Sequence, residues 1–375
     1  MTKGRILFFI NTLSCGGAEK VLVDLVNQLE YKYDITVLSV LGGIYEKRLS
    51  KNVKHKKIVT CKSVFLQNIL SKLLFKIPFS VFNFLFLKGN YDIEIAYLGG
   101  FNTKAIARNK STAKKIAFVH TDVSKSNKYD YLYRTRDEAL SDYNKFDAVC
   151  FVSKTAKSGF EQKYGPLKNA YIIHNIINVD QIKAEAKKDN PCVYNTTGLK
   201  MISVGRLSSE KGFDRLLKIA KRLETDFAFE LWILGDGPER QNLEAIIESE
   251  DIKSVKLLGY QQNPYSFVKK SDLYICSSLF EGYSTSVTEA IILGIPVLTT
   301  DCAGMDEILN NNIDGIIVKN DDAELESKIK DLLSNHTLYN SIKIGAQEKS
   351  NLYSSEYAIK EYDELFTHYL NLSND

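Results

Sequence analysis

The chain has 375 residues, 44% hydrophobic and 25% charged, with a formal net charge of +3. That length favours two domains over one core, and the composition is that of an ordinary globular protein, which excludes disordered and fibrous classes. The charge is too small to suggest a nucleic-acid partner.

Six cysteines, at 15, 61, 150, 192, 276 and 302, lie far apart with no C-x-x-C pair, and read as reduced thiols of a cytoplasmic protein. The opening run MTKGRILFFINTLSCGG is too short for a membrane span and reads as a first buried strand rather than a signal peptide. After it come a Gly-Gly turn, the helical pattern AEKVLVDLVNQL and the strand-like run DITVLSV.

Residues 64–87, VFLQNILSKLLFKIPFSVFNFLFL, are rich in Phe and Leu and carry only Lys72 and Lys76 as charges. The longest uncharged piece, 77–87, falls short of the ~20 apolar residues that a span needs. Two readings stay open here: a pair of buried helices, or a pair lying on a membrane surface.

Strand-like runs follow at 92–98, 114–120, 148–153 and 169–175, alternating with helical patterns, and point to a parallel, doubly wound sheet. A polar stretch from 183 to 200 reads as a linker. The alternation then restarts with MISVGRL, FELWILGDG, VKLLGY, LYICSS, IPVLTT and DGIIV, each followed by a helix or a loop leading into one. Two successive open sheets imply domains at 1–180 and 196–354 with a cleft between them, where ligands bind beyond the carboxyl ends of the strands.

Several loops at those ends carry chemistry. The NTLSCGGAE turn places Gly16 and Gly17 ahead of a helix, where backbone N–H groups can approach a ligand, but it lacks dinucleotide-binding or P-loop spacing. In VGRLSSEKGF, Arg206 and Lys211 are spaced to converge on one anion, or else to form a solvated rim with Glu210 as partner. In FEGYSTSVTEAIILG, Ser284 or Thr285 suits the N-cap of a helix whose free N–H groups favour an anion. Glu281 lies outside that helix and Glu289 inside it, so two carboxylates can accept from hydroxyls at opposite ends of an extended ligand. A nucleotide sugar has that layout, with a diphosphate between two groups of hydroxyls.

His120, in AFVHTD, lies at a strand end and is open to a structural or a catalytic role, whereas His174 reads as structural. The histidines are too scattered for a metal cluster, and no Asp-x-Asp pair occurs, so cations and a helix end would have to take the place of a divalent ion.

The order and wording of these motifs resemble the retaining glycosyltransferases of family 4, with EGYSTSVTE as the E-x7-E motif. The likeness runs through NTLSCGGAEK, VHTD, FVSKTAKSGF, IIHNIINVD, VGRLSSEKGFDRLL, LGDGPER and SSLFEGYSTSVTEAIILGIPVLTTDCAG, and is looser in the first half. Ile176 stands where glycine often follows the HN pair.

The resemblance implies the GT-B fold, two doubly wound Rossmann-like domains facing across a cleft, with a C-terminal helix at 355–375 packing back on the first. It implies that Glu281 meets donor-sugar hydroxyls and Glu289 the ribose. Arg206 and Lys211 would hold the diphosphate, aided by N–H groups of Ser284, Thr285 and Ser286 beside Gly282. Tyr260 and Gln261 would line the base pocket, Gly16 and Gly17 would lie against phosphate or acceptor, and His120 would sit near the transferred sugar.

The expected reaction moves a hexose-type sugar from a nucleotide sugar, UDP-linked above all, to a glycan acceptor, with no cofactor or metal. A lipid-linked acceptor would place the chain at the cytoplasmic membrane face, in capsule, exopolysaccharide or lipopolysaccharide synthesis. Two alternatives stand beside it: a non-catalytic sugar-binding or chaperone subunit, and a nucleotide-sugar epimerase. The intact set Arg206, Lys211, Glu281 and Glu289 argues against the first, and the lack of further catalytic acids against the second.

Overall fold

A computed structural model describes residues 3–14, 16–61, 63–125, 132–190, 194–353 and 355–372; Cys15 and Cys192 therefore lie outside the described residues. The chain divides into two units, Met1–Ile176 with Glu356–Asp375, and Ile177–Ser355.

The first unit is built on seven parallel strands: β1 (Arg5–Ile10), β2 (Asp34–Ser39), β3 (Lys54–Lys57), β4 (Ile93–Ala96), β5 (Lys114–Val119), β6 (Ala148–Phe151) and β7 (Ala170–Ile172). They run in the order β3-β2-β1-β4-β5-β6-β7. β1 is central, which explains why RILFFI is an unbroken apolar run: helices cover both faces of such a sheet, and Ile6 to Ile10 are all buried.

Strand β3, KHKK, has no such signal. It is a sheet edge with alternate residues exposed, and lysines on an edge oppose pairing with another chain.

One face of this sheet is closed by the helix Ser355–Asn371. Its Tyr362, Leu365, Phe366 and Tyr369 enter the core with Phe8, Tyr97 and Phe118, and the rings of Tyr362 and Phe118 stack at 5.5 Å. Burying each such ring stabilises by roughly 1.5–3 kcal/mol.

The second unit has six parallel strands: β8 (Leu199–Val204), β9 (Phe229–Leu234), β10 (Val255–Gly259), β11 (Leu273–Cys276), β12 (Val297–Thr300) and β13 (Gly315–Val318), in the order β10-β9-β8-β11-β12-β13. The helix Phe213–Leu223 turns Leu216, Leu217, Ala220 and Leu223 to the core and leaves Lys218 exposed, the pattern of an amphipathic helix on a sheet.

The stretch from 183 to 200 differs from the expected linker. It begins inside a helix, Val179–Ala186, capped by Asn178 and docked through the buried Val179 and Ile182. A polar helix with one narrow apolar stripe resembles a linker in composition, and its partner, Tyr265–Val268, lies far along the chain.

Each sheet reverses its order once. Successive strands run outward one way from β1 and then restart beside it at β4, and the same happens at β8 and β11. At such switch points adjacent loops diverge and leave a crevice at the carboxyl ends.

Among the described residues, no single helix is long and apolar enough to cross a membrane. Cys61, Cys150, Cys276 and Cys302 are free thiols.

Candidate active site

The switch point of the second unit lies between β8 and β11, and the two loops that leave it carry Lys211 and Glu281. After β8 the chain turns through Arg206 and a short 3-10 segment, Ser209–Lys211, before the helix Phe213–Leu223. Gly212 joins the two with φ of 60°, a left-handed conformation that favours glycine. A Cβ there would also lie 2.3 Å from the Ser277 carbonyl oxygen, so this turn is pressed against the loop after β11.

Lys211 Nζ donates to Glu281 Oε1 at 2.6 Å, and the Ser278 hydroxyl donates to the same oxygen at 2.7 Å. The two side chains are 22% and 12% exposed, buried enough to strengthen the pair and open enough to meet a ligand. Burial disfavours the ammonium, but the Glu281 carboxylate outweighs it and holds the Lys211 pKa above its ordinary value. Lys211 is thus a permanent cation at neutral pH.

Ser286, from the first turn of the helix Thr285–Ile292, lines the same small cavity as Lys211 and Glu281. Ser284 is the N-cap, with its side chain accepting from Val287 N–H, and its hydroxyl lies 3.3 Å from that of Ser286. The N–H groups of Thr285 and Ser286 have no intrahelical partner by geometry, so an anion acceptor is favoured there. A cation, a carboxylate and a helix N-terminus therefore meet at one switch point.

The loop that presents Glu281 is held from behind. Arg215, buried, donates through Nε to the Ser277 carbonyl at 2.9 Å, through Nη2 to the Ser278 carbonyl at 2.9 Å, and through Nη1 to Asn320 Oδ1 at 2.8 Å. Thr300 donates to the Ser278 carbonyl at 2.6 Å and Asn320 to that of Leu279 at 2.7 Å. Sequence reasoning missed this clamp. Its one signal is a charged residue among the apolar positions of FDRLLKIAKRL, and the partners of Arg215 come from two loops far along the chain.

The other expected residues fall as follows. Arg206 is exposed, with Leu207 buried beside it, and among the described residues its guanidinium makes no hydrogen bond or ion pair. Neither it nor Lys211 forms an ion pair with Glu210. Gly282 is buried in the loop after β11.

Glu289 is buried and accepts from the Tyr265 hydroxyl at 3.3 Å. Tyr265 begins the short helix that follows Tyr260 and Gln261, so Glu289 is tied to the segment at the end of β10. Tyr260 is exposed, and Gln261 Nε2 donates to the Leu258 carbonyl at 2.7 Å.

In the first unit Gly16 is the extended N-cap of the helix Gly17–Leu29, without a side-chain cap. His120 follows β5, its ring 4.7 Å from that of Tyr97, and neither ring nitrogen has a hydrogen bond of proper geometry. Burial lowers its pKa to about 4, so the imidazole is neutral. Among the described residues, no three His, Cys, Asp or Glu side chains gather where they could hold a metal ion.

Residues 15–181 match the model of Glycosyltransferase Family 4, and residues 185–349 that of Glycosyl transferases group 1. The chain is similar to the N-acetylgalactosamine-N,N'-diacetylbacillosaminyl-diphospho-undecaprenol 4-alpha-N-acetylgalactosaminyltransferase of Campylobacter jejuni, with 26% identity over 93% of this chain and 95% of that protein. It is also similar to the lipopolysaccharide core biosynthesis glycosyltransferase LpsD of Rhizobium meliloti, 28% identical over 44% of this chain and 48% of that protein. The crystal structure of Anabaena HepE with UDP and glucose has a TM-score of 0.75 and 17% identity, covering 97% of this chain and all of that one.

Proposed function

This chain is a glycosyltransferase of family 4 with the GT-B fold, and on that premise we propose that it moves a hexose-type sugar from a UDP-sugar to a lipid-linked glycan, with anomeric configuration retained. The observation that carries the proposal is the meeting of Lys211, Glu281 and the helix N-terminus at Ser284–Ser286 on one switch point.

A nucleotide sugar leaves behind a diphosphate, and the site supplies what that leaving group needs. Lys211 is a fixed cation, the N–H groups of Thr285 and Ser286 are preorganised donors, and the exposed Arg206 is free to swing onto an outer phosphate oxygen. Glu281 accepts from sugar hydroxyls on the same side as Lys211, and Glu289, held by Tyr265, addresses the ribose near Tyr260 and Gln261.

Glu281 is engaged by Lys211 and Ser278, which makes it a poor nucleophile or base. The leaving phosphate itself is then the base for the acceptor hydroxyl on the same face, which retains configuration. No metal is needed in this scheme, because the cations and the helix end neutralise the phosphates.

Retention and metal independence rest on that chemistry, and the hexose class draws support from the glucose bound by Anabaena HepE. The UDP donor draws support from the UDP and glucose bound by Anabaena HepE. The lipid-linked acceptor, and with it a place at the cytoplasmic membrane face in lipopolysaccharide or capsule-type synthesis, draws support from the two relatives.

The test is a panel of UDP-sugars with the purified protein, with and without chelator, in which hydrolysis is followed without acceptor and the anomer of any product is read by NMR. One UDP-sugar cleaved at undiminished rate in chelator, to a product of retained configuration, is expected. Cleavage of none, or inversion, would overturn the reading.

A further inference from the structure

The helices Val64–Leu74 and Phe79–Phe86 of the first unit are apolar on the side that faces out as well as on the side that faces in. Leu74, Phe82 and Leu87 join the core beneath β1 and β4, and Asn83 donates to the Ala105 carbonyl at 3.0 Å, so the pair is seated on the unit. On the first helix Phe65, Leu66, Ile69, Leu70 and Leu73 repeat at helical spacing and are all exposed; Phe65 is 73% exposed. On the second, Val81, Phe84 and Leu85 are exposed, Phe84 by 68%. Ordinary surface helices turn such a stripe inward, and contiguous exposed apolar patches of this kind mark an interaction site.

The charges around the patch identify the partner's chemistry. Between positions 51 and 91 the chain carries eight lysines and no Asp or Glu. Lys54 and Lys57 of that set pair with Asp34 and Glu46. Lys72, Lys76 and Lys88 border the patch, are exposed, and form no ion pair among the described residues. A surface that joins Phe and Leu with unpaired lysines complements one that joins hydrocarbon with negative headgroups.

Neither helix is long enough to span a bilayer by itself. The helices are eleven and eight residues long, about 16 and 12 Å against a hydrocarbon core of about 30 Å. They bend by 117° against each other.

We propose that this helical pair is a monotopic anchor, its outer stripe inserted into the interface of an anionic bilayer with Lys72, Lys76 and Lys88 at the headgroups. The proposal deepens the membrane half of the proposed function, and vesicle binding without acceptor tests it apart from the chemistry.

The experiment is co-sedimentation of the full chain with phosphatidylcholine vesicles, with and without phosphatidylglycerol, at low and high salt. Binding that is stronger to anionic vesicles and weakened by salt is expected. Phe65→Asp with Phe84→Asp should weaken it by more than about tenfold. Lys72→Glu with Lys76→Glu should cost about fivefold per lysine on anionic vesicles only. Both variants alter exposed side chains and should keep the thermal transition and donor hydrolysis.

The proposal falls if the wild-type chain ignores both vesicles, or if the double-Asp variant binds as the wild type does. It falls equally if light scattering shows a wild-type dimer that the double-Asp variant dissolves without any vesicle binding, since the stripe would then be an interface between copies.

Discussion

Lys211 and Glu281 stand 70 residues apart in the chain and 2.6 Å apart in space, on the two loops that diverge from β8 and β11. Before a ligand arrives, the carboxylate holds the ammonium in the crevice. In the proposed reaction, a diphosphate entering the crevice would compete for the same cation and leave Glu281 to accept from a sugar hydroxyl.

The cation should matter most where charge develops. Lys211→Ala is expected to lower turnover by ~10²–10³, the effect of losing one preorganised donor to a leaving group. Single-turnover kinetics on a variant with a normal melting transition measure it, and undiminished turnover would remove Lys211 from the mechanism.

Glu281→Gln separates the two roles of the pair. The amide oxygen still accepts from Ser278, but Lys211 is no longer neutralised, so UDP should bind as well or better. Turnover should fall by roughly tenfold or more, because the sugar hydroxyls lose a charged acceptor. Calorimetric UDP affinity beside kcat tests the split; a parallel loss of both would place Glu281 in phosphate binding instead.

Arg215 is a positioning residue that touches no reacting group. Arg215→Lys keeps the charge but loses the planar fork that serves two carbonyls and Asn320 at once. A loss of about 2 kcal/mol in the second unit is expected from buried carbonyls left without donors. At a temperature where the variant is folded, kcat should fall more than KM rises, and Asn320→Ala should shift both in the same direction. A variant that loses stability alone would reduce the clamp to packing.

His120 predicts a pH dependence. Its folded pKa of about 4 lies below the ordinary histidine value, so the unfolded chain binds a proton first as pH falls. Stability is full above the unfolded pKa and declines from there down to about pH 4, by roughly 3 kcal/mol at most. Urea unfolding of the first unit across that window should show the slope, and His120→Gln should flatten it.

Much of the molecule is legible in its residues. RILFFI and LYIC are unbroken apolar runs because both faces of a parallel sheet are covered, and Ser284 announces a helix start because its hydroxyl meets a free N–H. Where strand and helix patterns alternate, the loops at strand ends are candidates for chemistry, and Arg206, Lys211, Glu281, Tyr260 and His120 all follow strands.

Other features have no local signature. The edge strand KHKK is polar because an edge needs no second apolar partner. Composition left the Phe-rich stretch open between core and membrane, and the packing of Leu74 and Phe82 inward with Phe65 and Phe84 outward divides it between an anchored side and an exposed one.

Local propensity, periodicity and capping act within a few residues, and they set the strands, the helices and the chemical character of each loop. Which loops meet depends on strand order, a long-range property settled when β11 pairs with β8 rather than with β10. That single pairing brings Glu281 to Lys211, sets Arg215 behind both, and turns two ordinary loops into one site.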